Sequence, residues 1–158
     1  MFNWRAILSI IVIASQATHA GDLDPALGAV LDGLQPDDEV AALVYMVGDA
    51  DARALDDELA RAGMRRAARH EAVVRALQDT AQVSQAVFLE HLDAMLGAGR
   101  IASYESFWIA NAIHVVAPAS VVRELAAHRD VDRVFYDHPI ELVAPPTPMR
   151  PALSLIHI

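Results

Sequence analysis

Residues 101–143 constrain the fold more than any other stretch, because they run through strand, tight turn, strand, short helix and strand in one short span. Residues 101–108 alternate as a strand does, with Ile101, Ser103, Glu105 and Phe107 on one face and Ala102, Tyr104, Ser106 and Trp108 on the other. A turn is expected near residues 109–111, helped by the tolerance of Asn111 for left-handed geometry, and residues 112–116 return as the next strand. Pro118 has no backbone donor and a preset φ, so it suits the first turn of a helix. That helix, residues 120–128, would bury Val121, Val122 and Leu125. Arg129-Asp130 breaks it, and residues 131–136 form the last strand.

Upstream, residues 40–47 (Val-Ala-Ala-Leu-Val-Tyr-Met-Val) are a continuous apolar run that suits a central strand buried on both faces. Residues 50–69 favour a helical excursion that Gly63 disturbs. From about Arg65 to Leu96 a long helix is predicted, with Val73, Leu77, Ala81, Ser84, Val87, Phe88, Leu92 and Met95 stepping by three or four along its inner face. Gly97 and Gly99 supply the stop. The order strand, long helix, strand, strand, short helix, strand is the ferredoxin-like split βαβ arrangement of an α+β domain. It predicts a four-stranded antiparallel sheet with two helices on one face, leaving the other face free for a partner.

The remaining segments frame that domain, expected at residues 40–143. Residues 1–20 have the parts of a secretory signal: Arg5 in front, an apolar run over residues 6–14, and small residues leading to Ala20. The favoured cleavage lies between Ala20 and Gly21, with the bond after Ala17 second. A run of nine apolar residues is far short of the roughly 20 that span a membrane. A secreted or periplasmic protein is therefore expected. Residues 21–39 carry six acids and no basic residue, broken by Pro25, Gly28, Gly33 and Pro36, and read as an acidic lead-in with one helical turn around residues 26–31. Prolines crowd the chain from Pro139 on, and those at 145, 146, 148 and 151 make an extended connector of residues 144–152. Residues 153–158, Leu-Ser-Leu-Ile-His-Ile, match the translation of a sequencing-library transposon end and are read as a non-native tail on a fragment.

Composition removes several classes of function. The formal charge is −9, and becomes −10 once Arg5 leaves with the signal, a field that repels nucleic-acid phosphates and anionic lipid. All twelve cationic residues are arginine, and cysteine is absent, which removes disulfides and thiolate metal sites. His70-Glu71 begins like a zinc-protease helix, but position 74 is Val, where the second histidine is required. No two of the seven histidines stand at i, i+3 or i, i+4, so no metal is expected, and no other cofactor. Asp56, Asp57 and Glu58 diverge around a helix and read as a solvated face. No Gly-x-Ser-x-Gly elbow or phosphate-binding glycine loop occurs, and no nucleophile has a base near it, so the chain itself is not expected to be an enzyme.

The residues Phe107-Trp108-Ile109-Ala110-Asn111-Ala112-Ile113-His114-Val115, then Val121-Val122-Arg123-Glu124-Leu125-Ala126-Ala127-His128, then Asp130-Val131-Asp132-Arg133-Val134 carry a resemblance. Together they resemble the propeptide domains that precede bacterial subtilisin-like serine proteases, bacillopeptidase F-like enzymes in particular. The resemblance spans residues 40–143 and is best over residues 107–142. It implies a folding assistant and inhibitor of a protease domain normally in the same chain, with the open sheet face packed on the enzyme. It also implies that the tail Asp137, His138, Pro139, Ile140, Glu141, Leu142, Val143 lies in the active-site cleft like a substrate. Of Phe107 and Trp108, one is expected in the core and the other over the sheet rim. The competing reading is a stand-alone periplasmic binding or adaptor module using the same face.

Overall fold

A computed structural model describes residues 21–48 and 50–139. Its elements are β1 (Asp22–Leu23), α1 (Pro25–Gly33), β2 (Glu39–Met46), α2 (Ala52–Arg61), α3 (Arg66–Gly97), β3 (Ser103–Phe107), a 3-10 turn (Trp108–Ala110), β4 (Ala112–Pro118), α4 (Ala119–Ala126) and β5 (Val131–Tyr136). The protein is α+β, with four helices and one sheet in the order β1-β5-β2-β4-β3. Neighbours from β5 to β3 are antiparallel, whereas β1 adds to β5 in parallel. The expected four-stranded antiparallel sheet is therefore a five-stranded mixed one.

The extra strand comes from the acidic lead-in. Instead of one helical turn, residues 25–33 form a nine-residue helix, because Asp24 caps it by accepting from the amides of Ala26 and Leu27 and Pro25 supplies a helical φ at its start. That helix drives Leu27 (0% exposed) and Leu31 (2%) into the core. Two apolar residues four apart were enough to anchor a segment whose acids all remain at the surface.

One hydrophobic cluster joins α1, α3 and α4 to a single face of the sheet: Val40, Ala42 and Val44 of β2, Ile113, Val115 and Ala117 of β4, and Val134 of β5 are buried there. Within α3 the buried positions are Ala81, Gln85, Phe88, Leu92 and Met95, spaced by four and three, which is the seam a helix presents to a flat surface. Val87, expected on that seam, is 61% exposed, and Gln85 takes an inner position instead. At 32 residues α3 is about 48 Å long, much longer than any strand here. Residues 66–80 of it carry no buried residue, and α3 packs against α2 as well, to which Arg69 is tied through Asp56 at 2.9 Å. The solvated reading of Asp57 and Glu58 matches their exposure, while Asp56 is half-buried in that pair.

Pro118 ends β4 and stands immediately before α4 in an extended conformation, one step earlier than the helical position expected of it. Val121, Val122 and Leu125 are buried under α4 as the periodicity predicts. Gly63 and Gly99 both have left-handed φ, ending α2 and α3 where a side chain would be strained.

Candidate partner-binding face

Strand geometry sends alternate residues to opposite faces, so each burial of a β2 residue against helices exposes its neighbour on the other side. The face without helices is built from Ala41, Leu43 and Tyr45 of β2, His114 and Val116 of β4, Arg133 and Phe135 of β5, and Ser103, Glu105 and Phe107 of β3. Leu43 sits at its centre, opposite His114 on one side and Phe135 on the other. Tyr45 meets Phe135 edge to face, ring centroids 5.4 Å apart. Leu43, Tyr45, Val116 and Phe135 are half-buried by one another rather than covered. The expectation that β2 is buried on both faces is thus corrected: one face is sealed, and the other is apolar but open.

The lead-out begins on this face. After β5, the Asp137 amide donates to the Ala41 carbonyl at 3.2 Å, continuing the β2 ladder by one residue. Its carboxylate lies 3.2 Å from His114 Nε2, so Asp137 closes the end of the open face with an ion pair whenever the imidazole is charged. His138 turns to the opposite side and stands edge-on to Tyr136 at 4.5 Å. Pro139 lies against a shallow groove formed with Leu34, Val40 and Tyr136. Of the residues expected to contact a protease, Asp137, His138 and Pro139 are therefore placed; Ile140, Glu141, Leu142 and Val143 lie outside the described residues. So does Ala20, on one side of the expected cleavage bond, whereas Gly21 on the other side is described and donates to the Ala126 carbonyl at 2.8 Å.

The opposite end of the face is the β3–β4 turn. Phe107 is 37% and Trp108 39% exposed, so neither fills the core as expected of one of them. Trp108 opens the 3-10 turn and Asn111 closes it with left-handed φ 45° and ψ 46°. The anticipated role of Asn111 as a turn residue is present, together with one that local sequence did not reveal. Its Oδ1 accepts from Ser84 Oγ at 2.8 Å and Gln85 Nε2 at 3.1 Å, and its Nδ2 donates to the Gly48 carbonyl at 2.6 Å. One side chain thereby fastens the turn to α3 and to the end of β2. The buried amide of Gln85, inserted in an otherwise apolar seam, is the one sequence signal that a polar partner must face α3 there.

Charged groups on the helix side serve cohesion. Arg100 pairs with Glu124 at 2.6 Å, tying the segment after α3 to α4, and this hydrogen bond holds the Glu124 carboxyl below its ordinary range and raises the Arg100 guanidinium. Tyr104 donates to Asp93, and the bond raises the phenol pKa. His91 and His128 stack at 5.7 Å beside buried Phe88, a pairing that no spacing rule could reveal because His91 is on α3 and His128 lies in the connection after α4. Among the described residues no group of three or more His, Asp or Glu side chains is placed to hold a metal. No described helix is long and apolar enough to cross a membrane. Compared with protein-family models, with curated proteins and with solved structures, the chain finds no match.

Proposed function

We propose that this chain is the propeptide region of an exported subtilisin-like serine endopeptidase, acting as folding assistant and inhibitor of a protease domain that follows it in the native gene. The observation that carries the reading is the apolar sheet face around Leu43, Tyr45 and Phe135, left without helices while the lead-out departs from its end with Asp137 bonded to β2. On this reading β2, α3, β3, β4, α4 and β5 form a ferredoxin-like split βαβ unit, supported by their order in the sheet and by the shared helix face, with β1 and α1 as additions.

The physical logic has two parts. A large apolar face that water contacts in the free domain supplies binding free energy when an enzyme surface covers it, at about 25 cal/mol per Å² of apolar area. An extended segment leaving that face at Asp137 can add to the edge of a substrate cleft, where backbone hydrogen bonds give affinity and alternate side chains fill pockets. Ile140, Glu141, Leu142 and Val143 would lie in the cleft, and Pro139 stiffens the approach. The chain would contribute no catalytic group itself.

The test is to add purified residues 21–150 to a subtilisin-like protease domain of the bacillopeptidase F type and measure both peptide hydrolysis and recovery of activity from the denatured enzyme. Inhibition, or accelerated recovery, is expected. Absence of both, with the domain folded by circular dichroism, discards the reading and leaves the stand-alone binding module.

A further inference from the structure

The nitrogen of Gly21 is singled out twice, by independent observations. The small residues ending at Ala20 make the Ala20–Gly21 bond the favoured cleavage point of an export signal. The fold places that same nitrogen 2.8 Å from the carbonyl oxygen of Ala126, the last residue of α4. A helix C-terminus carries partial negative charge from carbonyls without helical partners. At α4 the Arg123 and Glu124 carbonyls are satisfied by the Ala127 amide and that of Leu125 by His128, while Ala126 receives Gly21. The site also accepts no side chain: a Cβ on residue 21 would stand 2.8 Å from Val131 Cγ1 and 3.0 Å from the carbonyl oxygens of both Ala126 and Val131. Glycine is the residue whose backbone can approach this closely.

We propose that removal of the export signal turns the Gly21 nitrogen into an ammonium group that caps the C-terminal end of α4 and fastens β1 to β5. The inference rests on the export reading of residues 1–20 and is independent of any protease partner. Hydrolysis by a leader-removing peptidase adds water across the Ala20–Gly21 bond, leaving a carboxylate on Ala20 and an amine on Gly21 that takes up a proton near neutral pH. What was a neutral amide donor becomes a cation, and the hydrogen bond to Ala126 becomes charge-assisted, roughly twice as strong as a neutral one. Cleavage would then complete the fold in addition to releasing it. Asp22 and Leu23, held beside Arg133 and Val134, and the α1 helix that follows are the elements secured.

The electrostatic surroundings favour a cation. Around this end of α4 the cations are already engaged, Arg123 with Asp32, Arg129 with Asp130 and Arg133 with Asp132. Glu124 is taken by Arg100. Asp22 on β1 and Asp24, which caps α1, are the carboxylates of the segment itself. The imidazoles near this end are His128, whose Nδ1 accepts from the Asp130 amide, and His91, stacked on it. The amine is therefore best followed from about pH 7.5 to 9.5, above the ordinary range of histidine.

The absence of lysine makes the experiment selective, since the α-amino group is the only primary amine of the chain. The full chain would be exported from a bacterial host and its N-terminus read by intact mass. The amine pKa is then taken from the pH dependence of its acetylation rate in the folded protein and in urea, and urea stability is compared before and after acetylation. A mature chain beginning at Gly21 is expected, with an amine pKa in the folded state above the ordinary 7.7–8.0. Acetylation should lower the folding equilibrium constant by about 3- to 10-fold at pH 7. Because the folded pKa is raised, the advantage is complete below the unfolded amine's pKa and disappears as pH rises through the folded value. A terminus at Thr18 overturns the proposal through its export premise. A Gly21 terminus with an ordinary amine pKa and unchanged stability after acetylation overturns the cap itself.

Discussion

The two faces of the sheet use the same strands and nearly the same residue types, yet end in different states. On one, Val40, Ala42, Val44, Ile113, Val115 and Val134 are sealed beneath α1, α3 and α4. On the other, Leu43, Tyr45, Val116 and Phe135 touch each other and water, interrupted by His114 and Arg133. Burial of the first stabilises the fold; burial of the second would, on the proposed reading, supply binding free energy to a partner. Apolar composition therefore does not separate the sealed face from the open one in this protein, whereas the placement of helices does.

The largest effect is expected where the sealed face is emptied. Phe88→Ala should cost about 3–5 kcal/mol, seen as a lower urea midpoint, because a fully buried ring between α3 and the sheet leaves a cavity. A loss below about 1 kcal/mol would mean that the two faces differ less than their burial implies.

Asn111→Ala comes next, at about 2–3 kcal/mol, since it strands the Gln85 amide and forces alanine into a left-handed conformation. Asn111→Gly keeps the left-handed geometry available and should recover about 1 kcal/mol of that loss. Equal losses for both variants would show that hydrogen bonding alone gives Asn111 its weight.

On the open face, Leu43→Ala should cost only about 1 kcal/mol of folding stability, because the side chain is already partly in water. If the chain is the protease inhibitor proposed above, inhibition should fall at least about 10-fold, the equivalent of 1.4 kcal/mol in binding. The two readouts invert for Phe88→Ala, whose cost should appear in folding, and a variant pair that fails to invert breaks the division between the faces.

The smallest effect concerns charge on the helix side. The Glu124 carboxyl is held low by Arg100, so its contribution is present above the ordinary carboxylate pKa and is lost as pH falls through the lowered folded value. Both partners are about half exposed and the pair is screened. Glu124→Gln should therefore shift the thermal midpoint by no more than about 2 °C near pH 7, and the shift should fade as pH falls through the lowered folded value, measured by parallel melts across pH.

Much of the fold was legible because its signals are local. The last strand, Val131–Tyr136, is where the alternation and the Arg129-Asp130 break place it, and α3 spans Arg66–Gly97 against a predicted 65–96. The lead-in reads as little more than a turn because six acids and no basic residue stand among its prolines and glycines, although Leu27 and Leu31 alone decide which way the helix faces. Phe107 and Trp108 depart from expectation for the converse reason: large aromatic residues suggest a core, but the turn places them at the rim. The candidate face was half legible. Continuous apolarity in residues 40–47 marked the central strand, but not which of its two faces would find helices.

By itself the sequence determined the succession of elements, since hydrophobic period, caps and glycine stops act within a few residues of one another. It also determined what chemistry the chain lacks the residues for, cysteine and lysine above all. Only the tertiary structure decided that β1 joins the sheet in parallel, that Asn111 binds α3 to the end of β2, that Asp137 reaches His114, and that Gly21 meets the end of α4. Each of these is a contact between residues 20 or more positions apart in sequence, where the free energy of pairing depends on what else has already packed and no local pattern records it.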